Sequence, residues 1–203
     1  SIASASAAKG AVAGSYSLEI SSLATAQRLV SPASAFTSAS TAVNIDEGTL
    51  KIEFGQLTPA TINPVAAAAY TADATRELNI SISANASLND IRDAINTANG
   101  GLSATIVNGT NGPQLVLTSL KEGTSNVMKL SGLTGTDAGS FNFDPLAPAV
   151  NTLSETAAGG RTASNAAFEL NGIASTSSTN TVTGVLDGVT LNLTKTNVGT
   201  PTT

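Results

Sequence analysis

Alternating apolar and polar positions predict several short β-strands along the chain. Near the start, Tyr16, Leu18 and Ile20 alternate with serine and glutamate residues. A period of two residues is typical of a strand with one buried face. The same alternation recurs at residues 48–55, 78–83, 102–107, 114–119, 166–173 and 189–193. Asn-Gly pairs lie between several of these segments and predict tight turns.

One segment has instead the period of an amphipathic helix. Its apolar residues are spaced three and four apart, at Leu88, Ile91, Ile95 and Ala98. Ser87 stands three residues before Asp90, which is the arrangement of an N-terminal capping box. Asn99 and two glycines follow, and glycine readily adopts the left-handed conformation that ends a helix. We predict a helix over about residues 88–98, packed on one sheet made of residues 78–83, 102–107 and 114–119.

The other segments show no regular period. Residues 1–14 are rich in alanine and serine, and we expect an extended lead-in there. Residues 56–75 and 134–160 carry prolines among small polar residues, which is typical of long loops. Residues 178–188 are expected to hold a short helical turn capped by Ser178 or Thr179. The predicted fold class is therefore mainly β with a few short helices (α+β).

The composition excludes several classes of partner. Only 11% of the residues are charged, against roughly 25% in an average soluble protein, and the net charge is -5. The nine lysines and arginines are scattered, so no surface for nucleic acid is expected. There is no apolar run long enough for membrane insertion. Cysteine is absent, which excludes a disulfide framework and a thiolate metal site. This composition favours an extracellular structural or adhesive protein.

The sequence offers little chemistry for catalysis. Histidine is absent, which excludes triads of the Ser-His type. A glycosidase that uses two carboxylates stays open, since acidic residues are grouped at Asp46–Glu47, Asp90–Asp93 and Asp137–Asp144. The middle group belongs to the first turns of the predicted helix, where carboxylates are favoured by the helix dipole. We therefore predict a protein that is not an enzyme, with no catalytic, cofactor-binding or metal-binding residue.

Three segments resemble, in order, the family of flagellar filament cap proteins, also called hook-associated protein 2. The first is Gly14-Ser15-Tyr16 with its alternating strand, followed by Leu23-Ala24-Thr25-Ala26-Gln27. The second, residues 87–119, looks like the flagellin/hook repeat of cap proteins and some flagellins. The third, residues 166–193, is similar to the return segment of the cap family. It carries Asn171-Gly172, Asn180-Thr181-Val182 and Gly188-Val189-Thr190-Leu191.

The resemblance implies two β-rich head domains, one split by insertion of the other. The split domain would be residues 1–43 plus 161–203, and the inserted domain, with its one amphipathic helix, residues 44–160. Residues 56–75 and 134–160 match no part of the family pattern. We expect the chain to be a piece of a longer protein whose helical legs, with coiled coil, lie in the missing flanks. Residues 24–29 would form a loop on an assembly surface, with an ordinary exit from a strand as the alternative.

The resemblance also implies a function. Cap proteins form rings at the extracellular tip of the bacterial flagellum and promote polymerisation of flagellin there. The implied partners are flagellin subunits, further copies of the chain and, for surface adhesion, host mucin or glycans.

Two alternatives remain open from the sequence. The chain could be an outer variable domain of a flagellin or hook-associated protein, because the middle repeat is shared. It could also be a glycan- or mucin-binding adhesin domain, although sugar sites usually present aromatic platforms and aromatic residues make up only 3% of this chain.

Overall fold

The computed structural model describes residues 1–62 and 64–202. The strands are β1 Ala3–Ala7, β2 Leu18–Ser22, β3 Arg28–Val30, β4 Gly48–Thr58, β5 Thr61–Ile62, β6 Val65–Ala66, β7 Ala69–Ile82, β8 Leu102–Gly109, β9 Gly112–Ser119, β10 Val127–Ser131, β11 Ala166–Leu170, β12 Ile173–Ser177, β13 Thr181–Leu186 and β14 Val189–Leu193. The α-helix is α1 Leu88–Ala98, and short 3-10 turns cover Thr124–Asn126, Ala138–Phe141 and Pro148–Val150. The predicted mainly β class, with a helix over 88–98, is confirmed.

A smaller core is built from the two ends of the chain. Its sheets have the strand orders β1-β14-β13 and β12-β11-β2, and every pairing in them is antiparallel. Leu18 and Ile20 are buried beside Phe168, Leu170 and Leu191, with Tyr16 and Val189 packed against them. Neither end has enough strands to close a core alone, so residues about 150 positions apart in sequence must combine.

A larger core is built from the middle of the chain. Its sheets have the orders β10-β4-β7 and β3-β9-β8, and Leu88, Ile91 and Ile95 of α1 are fully buried in it. The prediction of one sheet under the helix is wrong, because residues 78–83 belong to the first sheet and residues 102–107 and 114–119 to the second. Side-chain period identifies the buried face of a strand, but backbone pairing selects its neighbour, and β7 pairs with β4.

Helix α1 begins and ends close to its predicted limits. The Ser87 hydroxyl accepts from the Asp90 N–H, and the Asp90 carboxylate accepts from the Ser87 N–H at 2.8 Å, which completes the capping box. Asn99 rather than a glycine takes the left-handed position, with φ 47° and ψ 42°. Gly100 is required for a different reason, since a Cβ there would lie 2.1 Å from a methyl group of Leu78.

Three predicted irregular segments are regular in the structure. Residues 56–75 are mostly a long antiparallel ribbon of β4 and β7, rather than a loop. Residues 1–14 include β1, which pairs with β14, and residues 178–188 form β13 instead of a helical turn. The sequence shows no strand pattern in these segments because β1 and the outer part of β7 are exposed on both faces. The pairing of β13 with β14 contains a register shift.

The division into a split domain and an inserted domain stays a prediction. Leu29, Phe36 and Val43 precede residue 44, yet they pack in the larger core because β3 pairs with β9. The smaller core takes its residues from positions 2–24 and 166–193. These contacts favour an outgoing boundary before Leu29 rather than after Val43.

We expect Ile91→Asp to lower the free energy of unfolding by more than about 3 kcal/mol, because it places an unpaired charge in the larger core. Thr97→Asp, on the exposed face of the same helix, should change it by less than about 1 kcal/mol. Urea unfolding of both variants measures the difference. Equal stability of the two would mean that the helix face is not part of the core.

The capping box should also make stability depend on pH. Hydrogen bonds from the Ser87 side chain and backbone hold the pKa of Asp90 below its ordinary value of 3.8. Its stabilising contribution is therefore present above about pH 4 and is lost as the pH falls through the lowered pKa of the folded state. We expect Asp90→Asn to reduce the loss of stability between pH 5 and pH 2, as measured by thermal unfolding. An unchanged slope would contradict this role.

Candidate assembly surfaces

The two cores are joined by a paired connection rather than by a flexible linker. The outgoing and return segments run antiparallel and form three backbone bridges: Thr25 with Ser164, Arg28 with Arg161, and Val30 with Ser154. Five of the six N–H···O distances in these bridges are 2.8–2.9 Å, and the sixth is 3.2 Å. Backbone groups that would otherwise need water are thus satisfied at the junction.

Gln27 fixes this connection from inside. Its side chain is fully buried; its amide oxygen accepts from the Met128 N–H at 2.7 Å, and its amide nitrogen donates to Glu155 at 2.9 Å. Its carbonyl oxygen accepts from the Ser119 N–H. The expectation of a loop on an assembly surface at residues 24–29 is therefore wrong, since Arg28 and Leu29 belong to β3 and none of the six residues is exposed. This stretch ties the larger core to the return segment.

A loop of the larger core reaches the smaller core at three successive residues. The Glu122 carboxylate accepts from the backbone and the side-chain amide of Asn180. The Gly123 N–H donates to the Thr25 carbonyl, and a Cβ on Gly123 would lie 2.5 Å from a backbone oxygen of Ser178. The following residue, Thr124, donates to a side-chain oxygen on the return segment. Contacts on this loop therefore restrict bending at the junction.

Asparagine side chains repeatedly replace a missing backbone partner. Asn180 accepts from the Ala24 N–H at 2.9 Å and donates to the Ala24 carbonyl at 3.0 Å. The same two-way pairing joins Asn96 to Ala104 and Asn151 to Asp144. A primary amide has the same donor and acceptor as a peptide group, so it can end a strand without an unsatisfied atom. Ala24 lies 156 positions from Asn180 in sequence, so the sequence alone did not predict this pairing.

The acidic groups are explained by structural contacts. Asp90 caps α1, and Asp93 pairs with the neighbouring Arg92 at 2.7 Å. Asp137 accepts from the Asn44 N–H, and Asp144 pairs with Lys129 at 2.7 Å; Asp46 and Glu47 are exposed. Among residues 1–62 and 64–202, acidic side chains do not form a group of three that could hold a metal ion. The helix in this part of the chain is too short to cross a membrane.

A two-stranded hairpin arm, described over residues 55–62 and 64–72, extends β4 and β7 beyond the larger core. A bulge on β7 shifts the register between the pairs Glu53–Glu77 and Gly55–Ala72. At the base, Tyr70 packs on Gly55, where a Cβ would lie 2.7 Å from its ring, and donates to the Val127 carbonyl at 3.3 Å. Burial raises the pKa of this Tyr70 hydroxyl. The arm carries no charged residue.

An open apolar groove of about 1080 Å³ lies beside the smaller core. Strand β1 lines it along its whole length, and the apolar side chains that line it include Ile2, Leu18, Leu186, Val189 and Leu191. Lys195 is the one charged side chain among the described residues of this lining. The arm thus carries no charged side chain, and the groove, beside the other core, carries only that of Lys195 among its described residues.

Comparisons with known proteins match the middle and the last part of this chain. A family model described as the flagellar hook-associated protein 2 C-terminus matches residues 163–203, and one described as the flagellin hook IN motif matches residues 68–121. The crystal structure of the D2-D3 domains of the flagellar cap protein FliD from Escherichia coli superposes with a TM-score of 0.78 at 30% identity. The alignment covers 100% of this chain and 95% of that one. The chain belongs to the flagellar hook-associated protein 2, or FliD, family.

Further FliD relatives agree with this assignment. The D2-D3 structure from Serratia marcescens has a TM-score of 0.76 at 26% identity, covering 100% of this chain and 97% of that one. The B-type flagellar hook-associated protein 2 of Pseudomonas aeruginosa is 34% identical over 200 residues, which are 93% of this chain and 37% of that protein. The chain thus spans little more than a third of the length of the curated relatives it matches.

We expect Asn180→Ala to lower the free energy of unfolding by about 1–3 kcal/mol, because Ala24 loses both of its amide contacts and Glu122 loses one of its two hydrogen bonds. Asn79→Ala, which removes an exposed amide from β7, serves as the control and should change it by less than about 0.5 kcal/mol. Denaturant unfolding measures both values. If the Asn180 variant matched the control, its amide would not hold the cores together.

Proposed function

We propose that this chain is the head part of a flagellar filament cap. In this role it acts at the extracellular tip of the flagellum, promotes polymerisation of flagellin, and associates with further copies of itself. The observation that carries the proposal is the similarity over the whole chain to FliD D2-D3 domains. The role is one of binding and assembly and involves no chemical reaction.

The structure of the junction supports this role. A head that guides subunits must keep its binding surfaces in a fixed relation, and the bridges along residues 25–30 and 154–164 provide a stiff connection. The low charge of the chain also suits repeated contact with changing partners, because no strong ion pair must be broken at each step.

The two alternatives receive less support. The flagellin hook motif at residues 68–121 is compatible with a flagellin outer domain, but the hook-associated protein 2 match at residues 163–203 is specific to the cap family. For a glycan-binding adhesin, all five phenylalanines are buried and both tyrosines are half-buried. No exposed aromatic ring is therefore available to stack on a sugar, and adhesion to mucin has no supporting observation in the structure.

Deletion of the full-length gene in the source bacterium tests the proposal. We expect loss of filaments with flagellin released into the medium, because exported subunits would no longer be retained at the tip. The intact gene should restore filaments. A gene that lacks only the part encoding residues 1–203 should not restore them. Detection of the truncated protein outside the cell is the control for its export. Normal filaments in the deletion strain would contradict the proposed function.

A further inference from the structure

Strand β12 is an exposed edge of the sheet β12-β11-β2. A tight turn at Asn171 and Gly172, with φ values of 52° and 77°, joins it to β11. Three of its five residues are exposed, and the other two are half-buried. An edge strand offers N–H and C=O groups to another strand. Any further strand on this side must come from outside the sheet.

Hydrogen bonds elsewhere in this sheet determine which backbone groups of β12 point outward. In β2, the N–H and C=O of Ile20 bond to the C-terminal segment, on the side away from β11. Phe168 of β11 stands opposite Ile20, so its own backbone groups are directed to Ser175 of β12. Hydrogen-bonded and non-hydrogen-bonded pairs alternate along an antiparallel ladder. The backbone groups of Ala174 and Thr176 therefore point away from β11, and no other described residue bonds to them.

Most other sheet edges are covered or interrupted. The outer sides of β2, β3 and β10 are bridged by Thr202, Ser154 and Phe143 respectively. On β8, the side-chain amide of Asn96 pairs with Ala104. Strand β7 carries charged side chains and a register shift, and the pairing of β13 is also shifted. Such features protect sheet edges against an added strand. In contrast, residues 170–186 are uncharged and the pairing of β12 with β11 is regular.

We propose that β12 pairs antiparallel with β12 of a second copy of this chain. The outward backbone groups belong to Ala174 and Thr176, which stand symmetrically about Ser175. With a two-fold axis at Ser175, Ala174 of each copy lies opposite Thr176 of the other. Each of these pairs then exchanges both of its N–H···O bonds, as in a regular antiparallel ladder. The edge is thus complementary to itself.

The side chains of β12 permit this approach. Residues 174–177 are only alanine, serine and threonine, so the two backbones can come close together. Like charges opposite each other would oppose the pairing, and residues 170–186 carry none. Ile173, which is 70% exposed, would lie opposite Ser177 of the second copy and lose part of its contact with water.

The β12 edge is separate from the groove and from both ends of the chain. Thr202 bridges β2, and β11 lies between β2 and β12. The lining of the groove includes Ser1 and Ile2 but no residue of β12. The proposed contact therefore uses a surface on the far side of this sheet from the C-terminal segment.

The contact is isologous, because both copies use the same patch, and it closes after two copies. It goes beyond the proposed function, since a contact of this kind joins copies in pairs and does not extend around a ring. Only the five residues of β12 meet in each copy, so we expect weak pairing in dilute solution.

Disulfide trapping tests the contact, and the absence of native cysteine gives a clean background. The isolated chain is suitable because the D2-D3 domains of its relatives were crystallised without the rest of the protein. In the proposed pair, the two Ser175 residues form a non-hydrogen-bonded pair with Cα atoms about 4.5 Å apart. A disulfide spans this distance. Ser175→Cys should therefore form a covalent dimer when it is oxidised at high protein concentration.

Ser177→Cys is the matched control. It is the same substitution on the same face of the same strand, and both serines are half-buried. The two Ser177 residues of the pair would be displaced by four positions along the strands, about 13 Å, which is too far for a disulfide. We expect at least about tenfold more dimer from Ser175→Cys. Equal yields, as expected if β12 pairs with a strand of another protein or with none, would overturn the inference.

Thr176→Pro, added to Ser175→Cys, tests the backbone pairing. The Thr176 N–H points away from β11, and proline is tolerated on an edge strand at such a position. The melting temperature should therefore change little, while the dimer yield should fall several-fold because a donor is lost. Thr176→Lys keeps the backbone intact and places a charge on the edge, and it should reduce the dimer as well. A yield that neither substitution reduces would overturn the inference.

Discussion

The paired connection between the two cores is the constraint on which the rest of the structure depends. Two segments more than 120 residues apart in sequence run side by side there, and the Gln27 amide joins Glu155 on the return segment to Met128 in the larger core. If this buried amide lost its partners, the free energy of unfolding would fall by more than the hydrogen bonds contribute, because the amide would stay desolvated without a hydrogen bond. Both cores and the surfaces they carry are therefore held in one arrangement.

Hydrogen bonds, rather than ion pairs, hold this arrangement. The amides of Asn96, Asn151 and Asn180 each pair with the backbone of another residue, and in the described part of the chain no buried side-chain nitrogen or oxygen lacks a partner. The ion pairs lie at partly exposed positions, such as Lys51 with Glu77, where solvent weakens them. The protein therefore has few surface charges, and its fold is still specified by hydrogen bonds between particular residues.

The low proportion of charged residues also bears on assembly. The chain belongs to the FliD family, and the role proposed for it is one of binding and assembly. The arm carries no charged side chain, the described groove residues carry only that of Lys195, and the cores to which the two surfaces belong are held together by the paired connection.

The sequence by itself determined the local elements that have one buried face. The strand at Leu18 and Ile20, the capped helix over 88–98 and the strand at Leu50, Ile52 and Phe54 follow from period and capping, because burial on one side imposes a pattern. The family resemblance came from short motifs, and Gln27 was among them, but nothing in its neighbours indicated burial. Only the tertiary structure decided which strands share a sheet, that residues 56–75 form an arm, and which backbone each asparagine meets. Those features depend on partners distant in sequence, or on ribbons exposed on both faces, and neither leaves a period in the chain.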